Sequence, residues 1–158
     1  AGEIDPGMLP YVFAKAVLDA NSFNDLVNKK SGLMGISGVS SDMRDLEKAI
    51  SEGNKRAALA VEMFEYRLAK QIGSFAAAMS GVDTIVFTGG IGENDANVRC
   101  HVCRYLKFMG VEIDEELNAG IRGKEIVLST PNSKVTVVII PTDEELMIAS
   151  DTQEIVKK

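Results

Sequence analysis

The chain has 158 residues, 46% of them hydrophobic and 25% charged, and carries a net charge of −6. That is the make-up of a folded, water-soluble domain long enough to bury one proper core. The acidic balance, with a pI of about 4.9, argues against nucleic-acid or anionic-membrane partners; the longest apolar run, VTVVII at 135–140, is too short to span a bilayer; and two cysteines three apart make no disulfide scaffold, which fits a reduced, cytoplasmic setting.

Ile4-Asp5-Pro6 reads as a helix start, with Asp5 the N-cap and Pro6 the first helical position. This helix is expected to run to about Asp19, and a shorter one to follow from Asn21 to about Lys29. SGLMGISGVSS at 31–41 reads as a loop whose glycines expose amides. Asp42-Met43-Arg44-Asp45 opens a short helix, with Ser41 or Asp42 as its cap. The longest helix is expected over 54–80. Its stripe of Val61, Phe64, Leu68, Ile72, Phe75 and Met79 steps by three and four, one face of an α-helix. Gly81 is its expected left-handed cap.

Residues 82–88 read as a buried strand, followed by GGIGEN and a helix over 95–109 that stops at Gly110. A strand is expected near 125–129. The β-branched run 135–140 is the strongest strand signal, closed by Pro141, and a last helix covers 143–156. Strands separated by helices predict an α/β domain with 83–88 and 135–140 paired in parallel. Three strands are few for so many helices, so the chain is expected to be part of a larger protein.

VFTGGIGEN at 86–94 spends three glycines where a strand becomes a helix. Such a turn suits an anion, because helix N-terminal amides point outward there. A tight turn with Asn94 as cap explains it equally well. The spacing matches neither a dinucleotide-binding G-x-G-x-x-G nor a Walker loop. Pro141-Thr-Asp-Glu-Glu145 has the form of a capping box, Thr142 with Glu145, after a strand. Its three carboxylates could also hold Mg²⁺. Both motifs fall at the C-terminal edge of parallel strands, where α/β ligands gather. Arg44 alone reads as a solvated charge. Cys100-His-Val-Cys103 lies within a helix and has no second ligand pair, so both thiols are expected in the core rather than on zinc. No Ser-His-Asp set is available for hydrolysis.

Taken together and in this order, Ile4-Asp5-Pro6, Ser31-Gly-Leu-Met-Gly-Ile-Ser-Gly38 leading to Ser41-Asp-Met-Arg-Asp45, Phe87-Thr-Gly-Gly-Ile-Gly-Glu-Asn94 and Pro141-Thr-Asp-Glu-Glu145 resemble the C-terminal part of the acetate kinases. Propionate and butyrate kinases are close relatives. The resemblance implies that residues 1–158 are a partial C-terminal nucleotide-binding domain. Its fold would be α/β, part of an actin-like ATPase (ribonuclease H-like) domain with a mixed or parallel sheet flanked by helices. It implies phosphoryl transfer between ATP and a short carboxylate, giving an acyl phosphate and ADP, with Mg²⁺, in a cytoplasmic homodimer. By motif, Asp42, Met43 and Arg44 would line the adenosine pocket, Gly90, Ile91, Gly92, Glu93 and Asn94 would pack on the nucleotide, and Glu144 would be the magnesium-linked carboxylate. Gly92 is expected to be where the nucleotide comes closest to the backbone. PTDEE departs from the commoner Pro-Thr-Asn-Glu-Glu by one added charge, Asp143. No residue here matches the family's catalytic asparagine, arginines, aspartate and histidine, and His101 is not that histidine. The chain alone would then be a nucleotide-binding or dimerisation module without turnover.

Overall fold

The computed structural model describes residues 3–157. The chain divides into two compact units, Ala1–Arg67 and Leu68–Lys158.

The first unit is helical. α1 spans Met8–Lys15, α2 Ala20–Asn28, α3 Gly32–Ser37 and α4 Met43–Ser51, and α5, Lys55–Ala78, begins in it. α1 starts two residues later than Pro6, because Asp5 turns its carboxylate to the Gly7 amide at 2.8 Å. It also ends early. Asp19 serves as the N-cap of α2, accepting from the Ser22 amide at 2.7 Å, and a helix continued through Asp19 would forfeit that cap. The expected glycine loop at 31–41 contains α3. Its last carbonyls are met by a distant side chain: Arg56 donates to Ile36 O at 2.8 Å and to Gly35 O at 3.4 Å. The local cap is Gly38, left-handed at φ +68°, whose amide donates to Met34 O at 2.8 Å. Asn54 caps α5 through the Arg56 and Ala57 amides at 3.0 and 3.1 Å. The fully buried line on α5 is Ala57, Ala60, Glu65, Ala69 and Ala76. It runs beside the predicted stripe, whose last members Phe75 and Met79 are 57% and 64% exposed.

The second unit continues α5 and adds β1 (Thr84–Phe87), α6 (Gly89–Asn94), α7 (Ala96–Tyr105), a 3-10 turn at Lys107–Met109, α8 (Glu115–Ala119), β2 (Ile126–Val127), β3 (Thr136–Ile139) and α9 (Glu144–Val156). The sheet has the order β1-β3-β2. β1 and β3 are parallel, in register from Thr84↔Thr136 to Phe87↔Ile139, as the sequence predicts. β2 pairs antiparallel with β3, closing a hairpin whose turn carries Pro131. Ile85, Phe87, Val137 and Ile139 alternate into the interior. With Val98, Val102 and Leu106 of α7 they make the buried core of this unit. Among the described residues no helix is long and apolar enough to cross a membrane.

α5 ends one residue earlier than Gly81 suggests. The amide of Ser80 donates to Ala77 O at 3.2 Å and that of Gly81 to Ala76 O at 2.9 Å. This is the double closure that places the left-handed residue at Ser80, with φ +60°. An L-residue there is strained, so Ser80→Gly is expected to stabilise the chain by about 0.5–1 kcal/mol. Urea unfolding of the two proteins checks this; a less stable glycine variant would mean that the Ser80 side chain contributes more than its backbone costs.

Candidate functional site

Parallel pairing brings the C-terminal ends of β1 and β3 to one edge, where the Ile140 amide still donates to Phe87 O at 3.0 Å. Just beyond, the hydroxyls of Thr88 and Thr142 share a 2.6 Å hydrogen bond. Glu93 then joins the two ends. Its Oε1 accepts from the Gly89 amide and from the Thr142 amide, each at 2.8 Å. The Gly89 amide also reaches Thr142 Oγ1 at 3.2 Å. GGIGEN and PTDEE are therefore held together by one carboxylate oxygen and by the Thr142 hydroxyl. GGIGEN is also more than a turn, since all six residues form α6. The sequence leaves open whether this turn faces an anion or is simply tight. In the structure Glu93 supplies a negative charge from within. Asn94 donates to Gly90 O at 3.0 Å, and the cap of α7 is Asp95, which accepts from Asn97 and Val98 amides at 3.0 Å each.

Two of the three glycines have structural reasons, and the two differ. Gly89 has φ +69°, a conformation that L side chains rarely adopt. A Cβ on Gly92 would lie 3.1 Å from the Phe87 carbonyl carbon, so α6 crosses the end of β1 closely enough that a side chain would force a shift of a few tenths of an ångström. The side of Gly92 that a Cβ would occupy therefore faces Phe87. Gly90 has no positive φ, and nothing lies within 4 Å of a Cβ built on it. Neither fold nor packing asks for glycine there.

At the end of β3 the expected capping box does not form. Thr142 is engaged with Thr88, Gly89 and Glu93, and Asp143 caps α9 instead, accepting from the Leu146 amide at 3.0 Å. Glu144 and Glu145 are exposed in the first turn.

In the first unit, Asp42 caps α4 by accepting from the Arg44 amide at 2.9 Å and is also paired with the Arg44 guanidinium, Nε to Oδ1 at 3.0 Å and Nη2 to Oδ2 at 2.6 Å. The guanidinium bond, followed by the amide bond, holds the Asp42 carboxyl down to about 2. Ser40 braces this turn from both sides, accepting from the Asp42 amide at 3.0 Å and donating to Asp45 at 2.7 Å. Met43 is buried, and the Arg44 side chain is 88% exposed. On α7, Cys103 is buried as expected, whereas Cys100 is only half-buried and stands outside the core. Burial pushes the Cys103 thiol up to about 12, far from the thiolate that metal or redox chemistry needs.

Comparison with known proteins decides the family. The model of the acetokinase family matches residues 1–150. The chain belongs to the acetokinase family. It is 56% identical over 158 residues to the acetate kinase of Phocaeicola vulgatus, covering 100% of this chain and 39% of that protein. The crystal structure of Porphyromonas gingivalis acetate kinase superposes with a TM-score of 0.90 at 53% identity, over 99% of this chain and 39% of that one. A propionate kinase from Francisella tularensis gives 0.83 at 37% identity, over 94% and 38%. The chain thus spans about 39% of the length of the curated acetate kinases it matches. The fold is the one read from the sequence: an α/β, actin-like ATPase architecture with a mixed sheet and flanking helices.

Acetokinases imply Mg²⁺. Among the described residues no three His, Cys, Asp or Glu side chains gather into a cage. The donors at the β3 edge nevertheless suit this ion, which is held by one or two carboxylates together with water and phosphate oxygens. Glu144 is exposed there and no cap is assigned to it, whereas Asp143 Oδ1 is committed to Leu146.

One residue escaped the sequence reading. Arg99 has no exposed surface and donates to Asn118 Oδ1 (2.8 Å), Gly92 O (2.9 Å), Ile121 O (3.0 Å) and Asn118 O (3.3 Å). The signal was available, because Arg99 falls on the same helical stripe as Val102, Cys103 and Leu106.

Glu93→Ala would leave the Gly89 and Thr142 amides short of an acceptor, and is expected to cost about 1–3 kcal/mol. Glu93→Gln keeps a carbonyl oxygen in reach and should cost less. Urea unfolding of both variants checks the order; equal stability of the alanine variant and the parent would remove Glu93 as the clamp.

Proposed function

We propose that the chain is the nucleotide- and Mg²⁺-binding C-terminal part of an acetate kinase, which transfers a phosphoryl group reversibly between ATP and acetate to give acetyl phosphate and ADP. The observation that carries the reading is Glu93, which brings two motifs of an acetokinase to one sheet edge. Gly90, Ile91, Gly92, Glu93 and Asn94 form the proposed nucleotide-facing segment of the second unit. Gly90 is the point of approach, and Glu93 and Gly92 serve by shaping the backbone around it. Asp42, Met43 and Arg44 are the proposed adenosine residues of the first unit, with the bidentate Asp42–Arg44 pair fixing the guanidinium. Glu144 is the proposed link to Mg²⁺, which when bound neutralises charge on the phosphate oxygens. Because the chain spans about 39% of its relatives, turnover belongs to the whole enzyme, while nucleotide binding is assigned to this part. The likeness to a propionate kinase leaves propionate, with butyrate beyond it, as alternative acceptors. A second copy of the chain is the proposed protein partner, and the cytoplasm the proposed setting.

The glycines supply the test. Gly90→Val should leave the melting temperature close to the parent's and weaken ADP binding by about tenfold, some 1.4 kcal/mol. Gly92→Ala should differ in lowering the melting temperature, because its Cβ meets the Phe87 backbone. Differential scanning fluorimetry with calorimetric ADP titration checks both. Normal ADP affinity in Gly90→Val would remove GGIGEN from the nucleotide site.

A further inference from the structure

Arg99 is a charged side chain buried in the interior of an acidic chain, and burying a charge is costly unless every donor is used. A methionine would fill similar volume without that cost. What the guanidinium supplies is direction. Four hydrogen bonds radiate from α7 to one carbonyl of α6, Gly92 O, and to the side chain and backbone of the 118–121 segment. Asn118, itself buried, is held in turn, donating to Ala96 O at 2.8 Å while accepting from Arg99 Nε. The same two segments meet again without Arg99, where the Gly123 amide donates to Glu93 O at 3.1 Å. Burial is the main force pushing the guanidinium down from its usual range, the mark of a desolvated cation held by fixed dipoles.

Glu93 thus grips α6 from its start and Arg99 from behind. The two anchors act on adjacent residues, the carbonyl of Gly92 and the carboxylate of Glu93. Between them they set the angle at which α6 leaves β1, and so the position of Gly90 and Asn94. We propose that Arg99, held by Asn118, is a positioning residue of the nucleotide site that fixes the GGIGEN helix in its binding orientation without touching nucleotide. This rests on the nucleotide reading given above.

The experiment uses the full chain and MgADP, titrated by calorimetry well below each melting temperature. Arg99→Met removes every bond, and Arg99→Lys keeps the charge but only part of the fork. Val137→Ala is the control, a core truncation outside the network. Arg99→Met is expected to weaken MgADP binding by about tenfold, since small misplacement of a binding element is costly. Arg99→Lys should lie between it and the parent. Val137→Ala should lower the melting temperature yet bind as the parent does. Parent-like affinity in folded Arg99→Met overturns the proposal, as does equal weakening in Val137→Ala. If Arg99→Met does not fold, Arg99→Lys decides: weakened binding supports positioning and unchanged binding refutes it. A parent chain that fails to bind MgADP refutes the nucleotide reading itself, and this inference with it.

Discussion

One carboxylate oxygen organises the functional edge of this chain. Two parallel strands end side by side with amides that have no further ladder partner. Without Glu93 the Thr142 amide would lose its acceptor and the Gly89 amide would keep only its 3.2 Å bond to Thr142 Oγ1. Glu93 Oε1 accepts from both at 2.8 Å, a charge-assisted arrangement stronger than a bond between neutral groups. Because Glu93 belongs to α6, the same contact folds the glycine segment back over the strand it has just left. The consequence is steric: Gly92 passes so close to the Phe87 backbone that a Cβ would lie 3.1 Å from its carbonyl carbon, which favours glycine. The clamp, the glycine and the helix are one device.

That device separates what shapes the site from what is open at it. Gly89 and Gly92 are explained by conformation and packing, and Glu93 by its amides. Gly90 faces empty space on an ordinary backbone. Under the proposed nucleotide reading, Gly90 is the position left for ligand approach and its neighbours support it. Behind it, the buried guanidinium of Arg99 ties Gly92 O to the 118–121 segment. In the first unit the Asp42–Arg44 pair plays a comparable local part, a helix cap that also orients an exposed cation. Its sign with pH is set by the depressed Asp42 carboxyl: the pairing is complete above the ordinary carboxylate range and is lost as pH falls toward about 2.

Much of the fold was legible where local chemistry decides. The β-branched run at 135–140 and the apolar run before GGIGEN are β3 and β1, paired in parallel as alternation with helices requires. Asp42 caps α4, and α5 lies where its periodicity puts it. The departures share a cause: each depends on a group remote in sequence or on competition between neighbours. Residues 32–37 form a helix that Gly38 closes locally and to whose last carbonyls the remote Arg56 donates. Asp143, and not Thr142, caps α9 because Thr142 is drawn to Thr88 and Glu93 across the sheet. Ser80 takes the left-handed position because the helix closes one residue early. At the site, the motifs and their common edge were readable, whereas the internal partner of the α6 amide and the role of Arg99 needed coordinates.

The central claim is that GGIGEN, with Gly90 as its open position, faces a nucleotide. Backbone amide shifts of the isotopically labelled chain during titration with MgADP test it most directly. The account predicts saturable shifts concentrated at Gly90, Ile91 and Asn94, with a second set at Asp42, Met43 and Arg44. Saturable binding whose shifts spare residues 89–95, or no binding at millimolar nucleotide, would contradict it.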